Sequence, residues 1–287
     1  MKVGPASWRR LHLGVRTLVG RRPGGFFIPY RHACDVVPVG YASLEPLFAA
    51  ALPEMLRRLA EIEGLADALR GLTGPPPRPR WAQDWFPRLD GAALYAIVRL
   101  GRPRRVLEIG SGHSTRFVAQ AIADGQLACS VTCIDPQPRA DLTRLPVTLH
   151  RRLFAPSDAE LAAELGRGDV LLIDSSHIAV AGSDVDLLLN LVLPRLATGV
   201  LVHFHDIFLP DPYPAAWAWR GYNEQVALAP LLHGGGYDLL WSSHYLGDRH
   251  ADRLACGVIG ELPLGSGAHE GSLWLEKRAA APVVHCA

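Results

Sequence analysis

The sequence predicts an α/β fold: a doubly wound, mostly parallel sheet with helices on both faces, preceded by a helical N-terminal extension. Three observations carry this. From residue 87 onward, short and nearly all-apolar runs alternate with segments of helical period, as strands buried on both faces do. One such run, 105–109, opens directly into the glycine turn of "VLEIGSGHSTR" (106–116). Before this alternation stands "TGPPPRPR" (73–80), where consecutive prolines fit neither helix nor sheet and separate a purely helical stretch from the rest.

Taken in order, residues 44–72 are apolar at three- and four-residue spacing and predict one or two amphipathic helices. A helix near 90–99 leads to strand 105–109, and a helix over 114–123 to strand 130–134. A weaker strand near 146–149 and a helix near 157–165 precede strand 170–173. Ser183-x-x-Asp186 is a capping box opening a helix over 184–196, followed by strand 200–204. Residues 237–245 and 272–277 read as strands without a strong helix between them, an antiparallel pair closing one edge. The domain limits are therefore a helical extension with a basic arm (1–75), a main domain (81–277) and a C-terminal tail (278–287).

A net charge of +1 argues against nucleic acid as the main partner, because phosphate binding needs concentrated positive charge. The charge is uneven: Lys2, Arg9, Arg10, Arg16, Arg21, Arg22 and Arg31 share residues 1–34 with no acid. A solvated arm lying across an acidic surface is the expectation, with docking on a membrane surface or a partner as the alternative. No apolar run is long enough to span a bilayer. Lys2 and Lys277 are the two lysines, which leaves little scope for Schiff-base chemistry. Cys34, Cys129, Cys133, Cys256 and Cys286 form no CxxC pair, so they suit core packing in a reducing cytoplasm. Cys129 and Cys133 are expected on one face of one strand.

The glycine turn is the informative motif. A dinucleotide site wants a third glycine where Thr115 stands, and Glu108 is poorly placed beside a pyrophosphate. These residues oppose a nicotinamide oxidoreductase. A cofactor with cationic groups and no phosphate suits the turn better, and S-adenosylmethionine carries an ammonium and a sulfonium. Gly110, Ser111 and Gly112 let the backbone approach it, and Asp135 ends the next strand, where it can accept both ribose hydroxyls.

"VLEIGSGHST", "CIDP", "VLLIDSSH" and "GVLVHFHDIFLPDPYP" resemble the class I S-adenosylmethionine-dependent methyltransferases. The likeness is greatest to a bacterial group whose fourth and fifth strands end in D-x-x-H and H-D. It covers about 81–277 and implies a Rossmann-like, seven-stranded sheet with an antiparallel last strand. It also implies that Glu108, Gly110, Gly112 and Asp135 contact the cofactor, with Asp174 at the same strand ends. Asp158 offers itself only weakly for the adenine.

Asp174, His177, His203, His205 and Asp206 end strands that should be apolar, so they need a reason. His203 and His205 project to one face, Phe204 and Asp206 to the other. A hydroxyl acceptor must lose a proton, which a histidine can take near neutral pH. His205 is the first candidate base, with His177 its rival and Asp206 beside it. Alternatively Asp174, His205 and Asp206 bind a divalent ion, magnesium before zinc, although Ile207 stands where the metal-dependent relatives carry Asn or Asp. Trp217, Trp219 and Tyr222 either wall an acceptor pocket or pack the core. Trp81, Trp85 and Phe86 either form part of a lid or pack the core by the same reasoning, and Asn223-Glu224-Gln225 read as a polar helix face or as groups that orient the acceptor. The functional expectation is O-methylation of a small metabolite or glycoside. N-methylation and a non-catalytic cofactor-binding module are the alternatives.

Overall fold

The computed structural model describes residues 5–20, 24–25, 32–33 and 35–279. Lys2, Arg21, Arg22 and Arg31 of the basic arm, Cys34, Cys286 and the tail from 280 lie outside the described residues.

Seven strands form one sheet: β1 (Arg105–Ile109), β2 (Ser130–Ile134), β3 (Thr148–His150), β4 (Val170–Ile173), β5 (Leu201–Phe204), β6 (Tyr237–Ser242) and β7 (Leu273–Lys277). Their order is β3-β2-β1-β4-β5-β7-β6. Neighbours among β1 to β5 run parallel, and β7 runs antiparallel to both β5 and β6. This is the seven-stranded, mostly parallel sheet with an antiparallel last strand that the sequence predicts. Around it lie α1 (Pro5–Val19), α2 (Glu45–Glu63), α3 (Ala66–Arg70), α4 (Arg88–Gly101), α5 (His113–Asp124) and α6 (Ala159–Ala163). They are followed by α7 (Asp184–Leu187), α8 (Glu224–His233), α9 (Ser243–Arg249), α10 (Ala251–Ala255) and α11 (Val258–Glu261). The chain crosses from β3 back past β1 to β4, so the topological switch point lies between β1 and β4, where such sheets hold ligands.

The proline run breaks the sequence pattern but not the core. Leu44, Phe48, Met55, Leu59 and Ile62 are buried in the same cluster as the strands, with α2 packed on β6 and α4. Each such side chain contributes about 1.5–3 kcal/mol by burial, so α2 is an integral part of the sheet's cover.

Three expectations change. Ser183 caps the helix as predicted, its Oγ accepting from Asp186 N at 3.2 Å. The α-helix nevertheless ends at Leu187 and continues as a π turn and a 3-10 turn. Pro194, without an N–H, cannot extend an α ladder there. The second-last strand ends at Ser242 because its Oγ accepts from Tyr245 N at 3.1 Å and starts α9. Three helices then separate β6 from β7, each too short to show a helical period in the sequence. Finally, β2 begins at Ser130, so Cys129 precedes the strand and Cys133 alone is buried within it.

Candidate active site

The register of the sheet assembles the site. Ile109, Ile173 and Phe204 stand in one row across β1, β4 and β5. The chain therefore leaves these strands side by side at Gly110, Asp174 and His205. Gly110 has φ 82°, and a Cβ there would stand 1.8 Å from the Asp174 carbonyl oxygen. Glycine is required for the β1 turn to lie against the end of β4. His177 and Asp206 also take positive φ, 59° and 56°. Such non-glycine conformations cost on the order of 1–3 kcal/mol each and cluster at working sites.

Beneath the turn lies Glu108, fully buried. Its Oε1 accepts from Ser114 Oγ at 2.5 Å and its Oε2 from Thr115 Oγ1 at 2.6 Å. Burial raises its pKa to about 7 against these hydrogen bonds. Thr115, in the third-glycine position, thus ties α5 to β1, and also accepts from Gly112 N at 2.9 Å. Glu108 supports the turn from behind and does not line the pocket. Asp135 holds the turn from the other side: Oδ2 accepts from Ser111 N at 2.7 Å and Ser111 Oγ at 2.9 Å, and Oδ1 from Gln137 N at 2.7 Å.

Asp174 and Asp206 lie between two imidazoles. His177 Nε2 is 3.5 Å from Asp174 Oδ1 and 3.6 Å from Asp206 Oδ2. His205 Nδ1 is 3.5 Å from Asp174 Oδ1 and 3.4 Å from Asp206 Oδ1. Behind each ring stands a further buried carboxylate. His177 Nδ1 donates to Glu224 Oε2 at 3.0 Å, and His205 Nε2 donates to Asp90 Oδ2 at 3.2 Å. Asp90 also accepts from Gly271 N and Ser272 N.

Burial alone would neutralise both rings. The surrounding carboxylates win, and both imidazoles are held well above their ordinary 6.5. Both are thereby held toward the imidazolium form, so either ring can serve as a base only once that hold is weakened. Arg220 Nη1 lies 3.9 Å from Asp206 Oδ2, and burial raises the pKa of Glu224 against its hydrogen bond from His177. His203 is different. Burial lowers its pKa to about 3, and its Nε2 meets Ser272 Oγ at 2.8 Å, so it is a neutral core residue.

A small inner pocket, about 40 Å³, opens over this cluster. Ser111, Gly112, Asp174, His205 and Asp206 line it, while Glu108, Gly110, Asp135 and His177 stand behind. His113 lines it too; burial lowers its pKa to about 4, and its Nδ1 has no partner. Ligand pockets for small molecules run to roughly 300–1,000 Å³, so an occupant requires the mouth to open. Trp85 and Arg139 border it, the guanidinium 4.3 Å over the ring. Phe86 stacks on His205 at 4.7 Å, whereas Trp81 is buried against Phe117.

Other expectations are redistributed. Trp217 lines the inner pocket and Trp219 a larger outer cavity. Asn223, Glu224 and Gln225 are not an open polar helix face: Glu224 and Gln225 are buried, and Asn223 Oδ1 accepts from Ala179 N. Asp158 is committed to Arg152 through both oxygens at 2.6 Å, which leaves the adenine expectation without a free carboxylate. Sequence reasoning missed Asp90, whose only signal is an acid inside the apolar period of α4. It also missed Arg139 and Arg220, which carry no signal at all.

A family model described as a methyltransferase domain matches residues 107–207. No curated protein matches. Among solved structures, the chain is similar to the SAH-bound methyltransferase PaMTH1 of Podospora anserina, at 16% identity and TM-score 0.42, covering 89% of this chain and 100% of that one. It is also similar to the O-methyltransferase TomG of Streptomyces achromogenes, in complex with SAM, at 16% identity and TM-score 0.42, covering 76% and 90%. Likenesses this distant say nothing of substrate. The chain thus carries a methyltransferase domain, in keeping with the enzyme class the sequence predicts, an S-adenosylmethionine-dependent methyltransferase. No helix among the described residues is long and apolar enough to cross a membrane.

Proposed function

We propose that the chain methylates a hydroxyl of a small-molecule acceptor, with Asp174-x-x-His177 and His205-Asp206 at the reacting end of the site, as in the bacterial group the sequence resembles. The observation that carries this reading is the negative charge of Asp174 and Asp206, placed together beside the glycine turn. That charge suits a cationic cofactor and repels a pyrophosphate. When bound, S-adenosylmethionine supplies an electrophilic methyl group on a positively charged sulfur. Ser111, Gly112 and Asp174 would hold it, and Asp135, with three hydrogen bonds on about four acceptor sites, keeps one site for a ribose hydroxyl rather than for both.

His205 begins with a proton it cannot use as a base. Positive charge arriving at Asp174 and Asp206 removes much of what holds that proton, so the pKa of His205 falls toward neutrality. Its Nδ1 can then take the acceptor's proton, while Asp90 fixes the ring through Nε2. A base of this kind is most useful for oxygen, hence the preference over nitrogen.

The reading rests on His205 rather than on a divalent ion. No group of three or more His, Cys, Asp or Glu side chains among the described residues is arranged to hold a metal. Free Cys129, Cys133 and Cys256 suit a reducing, cytoplasmic setting. The test is release of S-adenosylhomocysteine from an acceptor screen, with and without chelator. The small inner pocket favours one second reading, a non-catalytic cofactor-binding module. Cofactor binding without turnover on any hydroxyl or amine acceptor would favour that module over the enzyme.

A further inference from the structure

Outside the inner pocket lies a much larger cavity, about 1130 Å³, roofed by α1. Trp85, Arg139 and Arg220 line both spaces, so the cavity is the antechamber of the reacting groups. We infer that this antechamber binds the body of the methyl acceptor, and that the acceptor is a bulky apolar molecule bearing an anionic group. The inference rests on the methyltransferase reading and adds the substrate class.

Three features carry it. The first is size, since about 1130 Å³ exceeds the roughly 300–1,000 Å³ of ordinary small-molecule pockets. The second is apolar surface left open to water. From α1, Leu11 and Leu18 line the cavity while 56% and 73% exposed, and from the opposite wall Trp219 is 38% exposed. Apolar side chains gathered around a concavity are covered by an apolar ligand at little cost. The third is charge: Arg9, Arg10, Arg139 and Arg220 line the cavity, and no carboxylate among the described residues does. Arg220 is already oriented, its guanidinium 4.0 Å over Trp217 and its Nη1 donating to Tyr222 Oη at 3.1 Å, yet its buried Nε has no partner. An anionic group placed against these guanidiniums leaves the narrow inner pocket to the reacting hydroxyl. The cluster of acids inside and arginines outside sets that direction.

The same helix explains why α1 belongs to the site. It leans on the Ala215–Arg220 turn that carries Trp217, Trp219 and Arg220, and so completes the antechamber rather than crossing an acidic surface.

The experiment uses two fluorescent probes with similar aromatic bodies, anionic 8-anilinonaphthalene-1-sulfonate and neutral N-phenyl-1-naphthylamine, on the full chain. The Arg9→Glu/Arg10→Glu variant changes only exposed side chains and should fold. Its affinity for the sulfonate probe should fall about tenfold or more, with little change for the neutral probe and none for S-adenosylhomocysteine by calorimetry. In the wild type, rising salt should weaken the anionic probe selectively. An unchanged sulfonate affinity in the variant overturns the inference. So does a parallel loss of S-adenosylhomocysteine, which would assign the antechamber to the cofactor. If the wild type fails to bind S-adenosylhomocysteine at all, the methyltransferase reading falls instead, and the two probes still decide the anion selectivity of the cavity.

Discussion

His205 and Asp90 form a fully buried pair, Nε2 to Oδ2 at 3.2 Å, that joins the reacting end of β5 to the first turn of α4. Asp90 is also held by the backbone of Gly271 and Ser272, so one carboxylate ties together a helix, a strand end and the loop before β7. The imidazole is thereby fixed from behind, with its Nδ1 edge toward the pocket.

His205→Ala should lower turnover by roughly 10²- to 10⁴-fold, the usual worth of an acid–base group. It should also destabilise the fold by about 3–5 kcal/mol, because it strands the Asp90 carboxylate without a charged partner. His205→Gln, which keeps a donor toward Asp90, should recover much of that stability and none of the turnover. Denaturant unfolding beside activity separates the two effects. Recovered activity in the glutamine variant would remove the base.

The pH dependence has a definite sign. His177 and His205 have folded pKa values raised well above 6.5. Their contribution to stability is therefore complete below about 6.5 and is lost as pH rises through the folded values. Melting temperature should fall from near-neutral to alkaline pH, and His177→Gln should flatten that fall. By the same argument, S-adenosylhomocysteine, which lacks the sulfonium charge, should release fewer protons on binding than S-adenosylmethionine. Calorimetry in buffers of different ionisation enthalpy measures this directly. Equal proton release for both would show that the cofactor charge does not reach the histidines.

Asp135→Ala should weaken cofactor binding by about 1.5–3 kcal/mol, the range for hydrogen bonds to charged groups. Because Asp135 also holds Ser111 N and Oγ, part of the loss comes through the turn. Ser111→Ala removes the hydroxyl contact alone and should lose distinctly less. An unchanged dissociation constant in Asp135→Ala excludes a ribose contact.

Glu108 should behave as a support. Its pKa is raised by burial to about 7, so the stability it confers is greatest below its ordinary 4.5 and declines as pH rises through about 7. Glu108→Gln should flatten that part of the stability profile and leave cofactor affinity nearly intact. Glu108→Ala, which strands the Ser114 and Thr115 hydroxyls, should cost about 1–3 kcal/mol of stability. A large loss of affinity in the glutamine variant at unchanged stability would mean that Glu108 touches the cofactor itself.

The sequence by itself determined the sheet and the end of it that matters. The run 170–173 is apolar at every position because both faces are covered, 105–109 departs from this only at Arg105 and Glu108, and that signal survives in one dimension. Strand ends carrying Glu108, Asp174, His205 and Asp206 stand out for the same reason, as charges where apolar residues belong. Local order alone could not say what those charges do. Whether His205 and His177 are bases or imidazoliums depends on the carboxylates folded around them, among them Asp90 and Glu224, which lie 115 and 47 residues from the histidines they face. The short helices α9 to α11 were equally hidden, since fewer than two turns leave no period to read. The antechamber exists only because α1 folds back across the strand ends, a placement set by tertiary packing rather than by any motif within it.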